Sequence, residues 1–406
     1  MSATPLSDIV SNQYARWMYP QPILDLPGWL AGNWQWFDPS HAHRLFWPDQ
    51  EYRPEIDILV AGCGTNQAAV MAYTNPRSRV VAVDVSEQSL GHHQFLKDKY
   101  ALKNLELHRL PIEEIATLQQ DFDLIISTGV LHHLASPEAG IQALAPCLRP
   151  DGVMALMLYA KYGRIGVDMM QSIFREMGLG QNDPSVLMVR DALATLAPDH
   201  PVRSYMAIAP DLGYDAGLVD TFLHGRDRNY SIGECQDLVA SSGLVFQDLL
   251  FKASYHPPVG STSAFHSAVA ALPKEQQWAV MEQVNFRNGC HFFTACRADR
   301  PKSRYAIDFA LDQALDYVPV LRYRCTLRGQ QICRHDWCMN LAPTQYTLAK
   351  LVDGRRTIRE IAALAHAAAN QVSPDLTAFE AQVKKQFQVF WQLDFMTMAL
   401  SGVQSQ

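Results

Sequence analysis

The sequence predicts an α/β fold: a mostly parallel sheet with helices on both faces, a helical insertion, and a small α+β domain at the C-terminus. Three observations carry this expectation. Short β-rich runs alternate with helical stretches from Ile56 to about Leu158, which implies right-handed crossovers and a sheet covered on both sides. The alternation breaks over residues 161–230, which read as helical and irregular, and then resumes. From about Asp316 the pattern changes to a hairpin followed by helices.

In chain order, residues 1–49 are rich in aromatics and turns; five tryptophans fall between Trp17 and Trp47, and prolines limit helix length. Aromatic side chains bury large areas, so this segment is expected to cover the core or to close as a lid over a ligand cleft. The core runs are IDILV, RVVAVD, LELHRL, DLIIST and VMALMLY, with the turn Arg149-Pro150-Asp151-Gly152 before the last. Beyond the insertion, YSIGECQDLVASSGLVFQDLLF starts a helix at a Ser231/Glu234 capping box, stops it at Gly243 and continues as a strand. Residues 289–297, GCHFFTACR, add one further strand. In the tail, LRYRCTLRGQQICRHDW predicts a hairpin turning at Arg328-Gly329. Two helices follow, the second announced by Thr357 and Glu360, and a third spans Thr377 to Gln392. Three helices beside a hairpin suggest a winged-helix-like accessory module over 316–406, after a lid over 1–49 and a main domain over 50–300.

Composition narrows the function class. At 406 residues the chain exceeds what one core usually organises. Hydrophobic content of 48% with 18% charged residues suits a globular protein. The net charge of −7 argues against nucleic acid as a partner, because such binders present a basic face. From Asp316 onward there are 10 Lys/Arg against 7 Asp/Glu, a net of +3 that leaves −10 for residues 1–315. The start, MSATPLSDIVSNQYARW, shows neither a basic leader nor an apolar stretch, and no run reaches the roughly 18 apolar residues of a spanning helix. Eight scattered cysteines read as reduced thiols of a cytoplasmic protein.

The chemistry is concentrated in IDILVAGCGTNQAAVMAYTNPRSRVVAVDVS. A strand that opens into Gly62-Cys63-Gly64 lets backbone approach a ligand where any Cβ would intrude. Asp84 ends the next strand about 20 residues later, the position from which doubly wound folds aim a carboxylate at ribose hydroxyls. No Gly-Lys-Ser/Thr follows the loop, which disfavours a nucleoside triphosphate, and Gln67 replaces the third small residue of a dinucleotide fingerprint. An adenosine without a pyrophosphate points to S-adenosyl-L-methionine, with S-adenosyl-L-homocysteine as product.

With these residues in view, the segments ILVAGCGTN, VVAVDVS, LPIEEI, FDLIISTGVLHHL and LRPDGVMAL, in this order, resemble class I S-adenosylmethionine-dependent methyltransferases of Rossmann-like fold over roughly residues 50–300. The resemblance implies that Gly62, Cys63 and Gly64 border the methionine part of the cofactor and that Asp84 accepts from its ribose. It implies too that Val85 and Ile112 sandwich adenine, that Glu113 fixes the base edge, and that Ser127 to Gly129 line the floor near the reactive methyl. Val60 stands where the family usually has an acid, Asn66 where it has a third glycine, and Pro111 where an acid is common. These departures are expected to weaken the cofactor site. Asn66 adds a side chain there, although asparagine tolerates left-handed backbone geometry better than most residues.

Methyl transfer needs an aligned acceptor and a modest base. His132 and His133, leaving the fourth strand, are the candidate bases, set against a reading in which one packs and the other caps the helix beginning at Ser136-Pro137. Asp220, His224 and Asp227 in DTFLHGRDRNYS, with Tyr159 after the fifth strand, are candidates to orient an acceptor; the competing reading pairs those acids with Arg226 and Arg228. Tyr14 and Tyr19 are expected to close over the cofactor and exclude water. Cys325, Cys333, His335 and Cys338 invite a zinc reading, but their spacing is poor and no metal is assigned. The expected acceptor is an oxygen or nitrogen of a small molecule or a peptide- or protein-borne group, with no membrane partner. The alternative is a scaffold that binds the cofactor without turnover.

Overall fold

A computed structural model describes residues 5–368 and 375–400. The chain opens with α1 (Ile9–Arg16), α2 (Leu26–Gly32) and α3 (Pro39–Phe46), short helices in which Pro27 and Pro39 occupy first turns, where no N–H is needed. The alternating region forms β1 (Asp57–Ala61), α4 (Gln67–Thr74), β2 (Arg79–Asp84), α5 (Glu87–Tyr100), β3 (Leu105–Arg109), β4 (Phe122–Thr128), α6 (Pro137–Leu144) and β5 (Leu148–Tyr159). Four helices fill the insertion: α7 (Ile165–Glu176), α8 (Asp183–Thr195), α9 (Val202–Met206) and α10 (Asp215–Phe222). Then come α11 (Ile232–Ala240), β6 (Leu244–Leu249), α12 (Ala264–Ala270), α13 (Lys274–Val284) and β7 (Cys290–Arg297). The tail contains β8 (Val318–Leu321), β9 (Thr326–Arg328), β10 (Gln331–Cys333), β11 (Cys338–Asn340), α14 (Pro343–Lys350), α15 (Ile358–Ala368), α16 (Leu376–Gln392) and β12 (Met396–Ala399).

Seven strands form one sheet in the order β3-β2-β1-β4-β5-β7-β6. Strands β1 to β5 pair in parallel and β7 runs antiparallel to β5. The central strands read as unbroken apolar runs because both faces are covered: Ile58 to Ala61, Val80 to Val83 and Leu124 to Ile126 are buried throughout. The order reverses between β1 and β4, so the loops leaving these two strands diverge and open a crevice, the usual ligand position of such sheets. The insertion has its own core, in which Val167, Met170 and Phe174 of α7 meet Val186 and Val189 of α8 and Leu218 and Phe222 of α10.

The chain divides into two compact units: Met1–Asp38, Pro54–Phe246 and Glu282–Asp299 form the first, and Pro39–Arg53, Gln247–Met281 and Arg300–Gln406 the second. These bounds differ from the expected 1–49, 50–300 and 316–406. Backbone groups of α3 and the turn after it find their partners in the second unit: Gln247 Nε2 donates to the Leu45 and Phe46 carbonyls, Arg300 Nη2 to that of Phe46, and the Leu400 N–H to that of Pro48.

In the second unit, Leu348, Ile358, Ile361, Phe387, Phe390 and Met396 form the core. The expected hairpin is present as β9 and β10, turning at Gly329 with φ +56°. The Thr357/Glu360 capping box forms reciprocally at 2.8 and 3.1 Å. Two features were not anticipated: β11 extends the hairpin, and β8 pairs with β12. The reading of all eight cysteines as reduced thiols needs correction, because Cys333 and Cys338 face each other across β10 and β11 and are disulfide-bonded. That bond also removes both from any zinc set, and the Cys325 thiol is engaged with the Asp394 carbonyl at 3.8 Å.

Candidate functional site

Every residue singled out for cofactor, acceptor or catalysis lies in the first unit. The loop after β1 is shaped by glycines at positive φ, +75° at Gly62 and +53° at Gly64. A Cβ on Gly62 would stand 2.5 Å from the Val130 methyls, so this bend requires glycine twice over. Asp84, at the tip of β2, accepts from the Gly64 N–H through Oδ2 and from the Ser86 N–H through Oδ1, both at 2.8 Å. Burial pushes its carboxyl up to about 6, against the opposing pull of those amides. A carboxylate has about four acceptor positions, so two amides leave room for hydroxyl donors.

The departures from the family pattern have structural accounts. Val60 is interior to β1, and the loop amide of Gly64 is held instead by Asp84. Asn66 does not adopt left-handed geometry; its φ is −133° and ψ −34°. Its side chain instead accepts from the Ile23 N–H and donates to the Gln21 carbonyl, each at 2.8 Å, while Thr65 Oγ1 donates to the Pro20 carbonyl at 2.6 Å. Residues 20–23 are thereby tied across the glycine loop. His93 is buried, and burial lowers its pKa to about 4 although the Cys63 and Gly64 carbonyls pull it upward.

Around this loop, Val85 offers its carbonyl to Arg109 Nε at 3.3 Å, and Ile112 is buried at the head of a 3-10 turn begun by Pro111. Burial raises the Cys63 thiol well above its usual range, which keeps it protonated. Gly129 has φ +73°. Two polar atoms, Glu113 Oε2 and Ser127 Oγ, are buried without a hydrogen-bond partner among the described residues. Orphaned acceptors of this kind are rare. Together with a loop free of Cβ atoms and the Asp84 carboxylate, they fit an adenosyl group bearing hydroxyl and amine donors.

A second cluster adjoins the first. Tyr14 and Tyr159 donate their hydroxyls to the two oxygens of Asp220, at 2.8 and 3.0 Å, and Tyr19 donates to Asp211 at 2.8 Å. Burial, then the Asp220 charge, raises the Tyr14 phenol well above its usual range, and the Asp84 carboxylate adds to that effect, linking the two clusters electrostatically. Asp220 is itself pushed up to about 7 by burial, against hydrogen bonds from Tyr14 and Tyr159 that favour its charged form. Behind Tyr159 lies Arg164, fully buried, its guanidinium 3.7 Å from the ring centre and bonded to Tyr205, Asn229 and Asp227.

His132 and His133 are buried rather than displayed at the cleft edge. The His132 ring stacks on Tyr159 at 3.9 Å and neither of its nitrogens has a hydrogen-bond partner among the described residues. Burial lowers His132 well below its ordinary value and His133 to about 4, so both are neutral imidazoles. His133 Nδ1 donates to the Arg226 carbonyl at 3.0 Å, which leaves Nε2 as an acceptor. Neither histidine caps α6; Ser136 Oγ does so by accepting from the Ala139 N–H. The competing ion-pair reading of the 220–228 loop is also corrected: Asp227 pairs with Arg164, Arg226 with Asp8, and Arg228 with Glu138 and Glu234. The sequence reading missed Arg164, Tyr205 and Asp211, whose partners are distant in the chain and carry no local signal.

His133, Asp220 and His224 bring ligand-type atoms within 4.8 Å of one another, a spacing that could hold a metal ion. Hydrogen bonding opposes that use. His224 Nδ1 accepts from the Arg226 N–H at 3.0 Å, which places the ring proton on Nε2, the nitrogen facing Tyr14 at 3.4 Å. The cluster is better described as a proton-sharing network than as a ligand set.

Comparison with known proteins agrees with this geometry. Residues 59–154 match the methyltransferase domain family. A Synechococcus sp. protein of unassigned role is 27% identical over 291 residues, 69% of each chain. The tRNA U34 carboxymethyltransferase of Azotobacter vinelandii is 30% identical over 155 residues, which are 36% of this chain and 48% of that protein. Among solved structures, PKMT2 from Rickettsia typhi in complex with AdoHcy superposes with a TM-score of 0.64 at 14% identity, over 90% of this chain and 76% of that one. The match to the family falls on β1 to β5, the strands that carry the glycine loop and Asp84. The core of this chain therefore has a Rossmann-like fold, and residues 59–154 within it are similar to methyltransferase domains.

Proposed function

We propose that the chain moves a methyl group from S-adenosyl-L-methionine to an oxygen or nitrogen of a small molecule or of a peptide-borne group. The observation that carries this reading is the hydrogen-bonded set Tyr14–Asp220–Tyr159 beside the Asp84 loop. When bound, S-adenosylmethionine supplies a methyl group already activated on a sulfonium. Gly62 and Gly64 would border the methionine portion and Asp84 would hold the ribose, with Glu113 and Ser127 satisfying the remaining donors. The protein's task is then to align the acceptor, exclude water and take a proton. Asp220, with its pKa near 7, is better matched to accept that proton than either lowered histidine, since a base works best near the operating pH. His132 and His133 would shape the wall around Tyr159 and orient the network.

The acceptor class rests on charge. Residues 1–315 carry a net of −10, unfavourable for a polyanion. Several relatives named for tRNA align over only 27–36% of this chain. The test is incubation of the purified chain with methyl-labelled S-adenosylmethionine and a lysate, then separation into protein, RNA and small-molecule fractions. Label in the protein or small-molecule fraction is expected. Label confined to RNA would overturn the acceptor assignment, and cofactor binding with no transfer at all would return the chain to a scaffold role.

A further inference from the structure

Tyr159 is held from both sides. The His132 ring lies 3.9 Å from its centre and the Arg164 guanidinium 3.7 Å, distances at which each must lie over a face of the ring. Two planar groups that close are too wide to share one face, so they clamp the phenol between them. Arg164 is fixed in turn by hydrogen bonds from Nε to Asn229 at 3.0 Å, from Nη1 to the Tyr205 hydroxyl at 2.7 Å and from Nη2 to Asp227 at 3.4 Å. Burying a guanidinium is costly, and the Asp227 oxygen that answers it is shared with Gln171 Nε2. What the arrangement serves is the phenol. A cation over a ring face is attracted by the ring electrons, and it makes the hydroxyl that donates to Asp220 Oδ2 at 3.0 Å a stronger donor.

Charge points the same way. Asp220 is faced by Tyr14 of α1, Tyr19 beyond it, His133 after β4 and Tyr159 of β5. The insertion adds Arg164, Tyr205, Asp211 and Tyr214, and His224 follows on the loop after α10. Burial keeps both histidines neutral, so of these groups Arg164 alone is a cation at neutral pH. We propose that Arg164 is a positioning residue for methyl transfer, acting through Tyr159 to hold Asp220 as the proton acceptor. In that transfer the acceptor's electron pair forms the bond to the methyl carbon, the C–S pair stays with sulfur, and the acceptor's proton passes to Asp220.

This role rests on the methyl-transfer reading, yet its first test is independent of turnover. Carboxyl NMR of isotope-labelled aspartate follows Asp220 in the full chain, its signal identified by its loss in Asp220→Asn. The native midpoint is expected near 7. Arg164→Gln should raise it by roughly one pH unit, because an opposite charge is removed, and Arg164→Lys should leave it in place. A midpoint unmoved by Arg164→Gln, or raised equally by Arg164→Lys, would overturn the proposal. With labelled S-adenosylmethionine and the lysate fraction that takes up label, Arg164→Lys should lower kcat about 10-fold, since the planar fork is lost, and leave KM for the cofactor within about twofold. Should Arg164→Gln misfold, Tyr205→Phe decides: it frees one guanidinium N–H, and kcat is expected to fall about 10-fold with the pH limb unmoved. An unchanged kcat there would also overturn the role. A native chain that transfers no methyl removes the methyl-transfer reading itself, whereas an Asp220 midpoint indifferent to Arg164→Gln in a chain that does transfer removes only the role of Arg164.

Discussion

Asp84 and Asp220 are both carboxylates pushed upward by burial, yet their surroundings set them to different tasks. Asp84 is ringed by backbone N–H donors and settles at about 6. If it accepts hydrogen bonds from cofactor hydroxyls it must be ionised, so cofactor affinity should then fall as pH drops below about 6. Asp84→Ala should weaken binding by about 1.5–3 kcal/mol, roughly 10- to 150-fold, and abolish that pH dependence; calorimetric titration with S-adenosylmethionine at pH 5 and 8 reads both. Unchanged affinity would remove Asp84 from the site. Asp220 is held by two phenols and stays near 7. If it takes the acceptor's proton, activity rises as pH climbs through about 7. Asp220→Asn should then lower kcat by about 10²–10⁴, flatten that limb and leave cofactor affinity within twofold. A pH profile that survives Asp220→Asn but vanishes in His133→Ala would make the imidazole the base. Asp84 and the two glycines were legible in the sequence because a glycine bend and a strand-end acid are local signals with fixed spacing. Arg164 was not, because its placement against Tyr159 is made by the insertion folding back on β5.

At the scale of elements, what could be read was what depends on neighbours in sequence. Both capping boxes, the Gly329 hairpin and the strands from β1 to β5 follow from patterns within a few residues. The pairing of β8 with β12 joins segments more than seventy residues apart, and β11 is a three-residue strand; neither leaves a local trace. Asn66 shows the same limit at the cofactor loop. Read as a departure from a glycine position, it acts as a bracket between α4 and the segment before α2. Asn66→Ala removes two hydrogen bonds and should loosen residues 20–23 by about 1–3 kcal/mol. Hydrogen exchange at the Ile23 amide is expected to quicken correspondingly, with cofactor affinity declining in parallel. Undiminished protection at Ile23 would show that Thr65 and the surrounding packing suffice to hold the segment.

Across the molecule, buried ionisable groups pull the stability in opposite directions. Asp84, Asp220 and Glu282 are raised to about 6, 7 and 7 by burial. The native state holds their protons more tightly than the unfolded chain, so their contribution is full below about pH 4 and is lost as pH rises through 6 to 7. His43, His93, His133, His256 and His291 are lowered by burial from 6.5 to about 4. For these the unfolded chain binds the protons, so their contribution is present above about 6.5 and is lost as pH falls toward 4. Both sets act in the same window, and five histidines outnumber three carboxyls with shifts of similar size. The thermal midpoint should therefore be highest near pH 6.5–7 and fall on acidification to pH 5, a course opposite to that of the carboxyls alone. His93→Gln or His291→Gln should make this acid loss shallower, since each removes a group that must charge on unfolding, provided the variant retains the native circular dichroism. A midpoint that instead climbs between pH 7 and 5 would mean that the carboxyls dominate, and with them the burial of the Asp220 cluster.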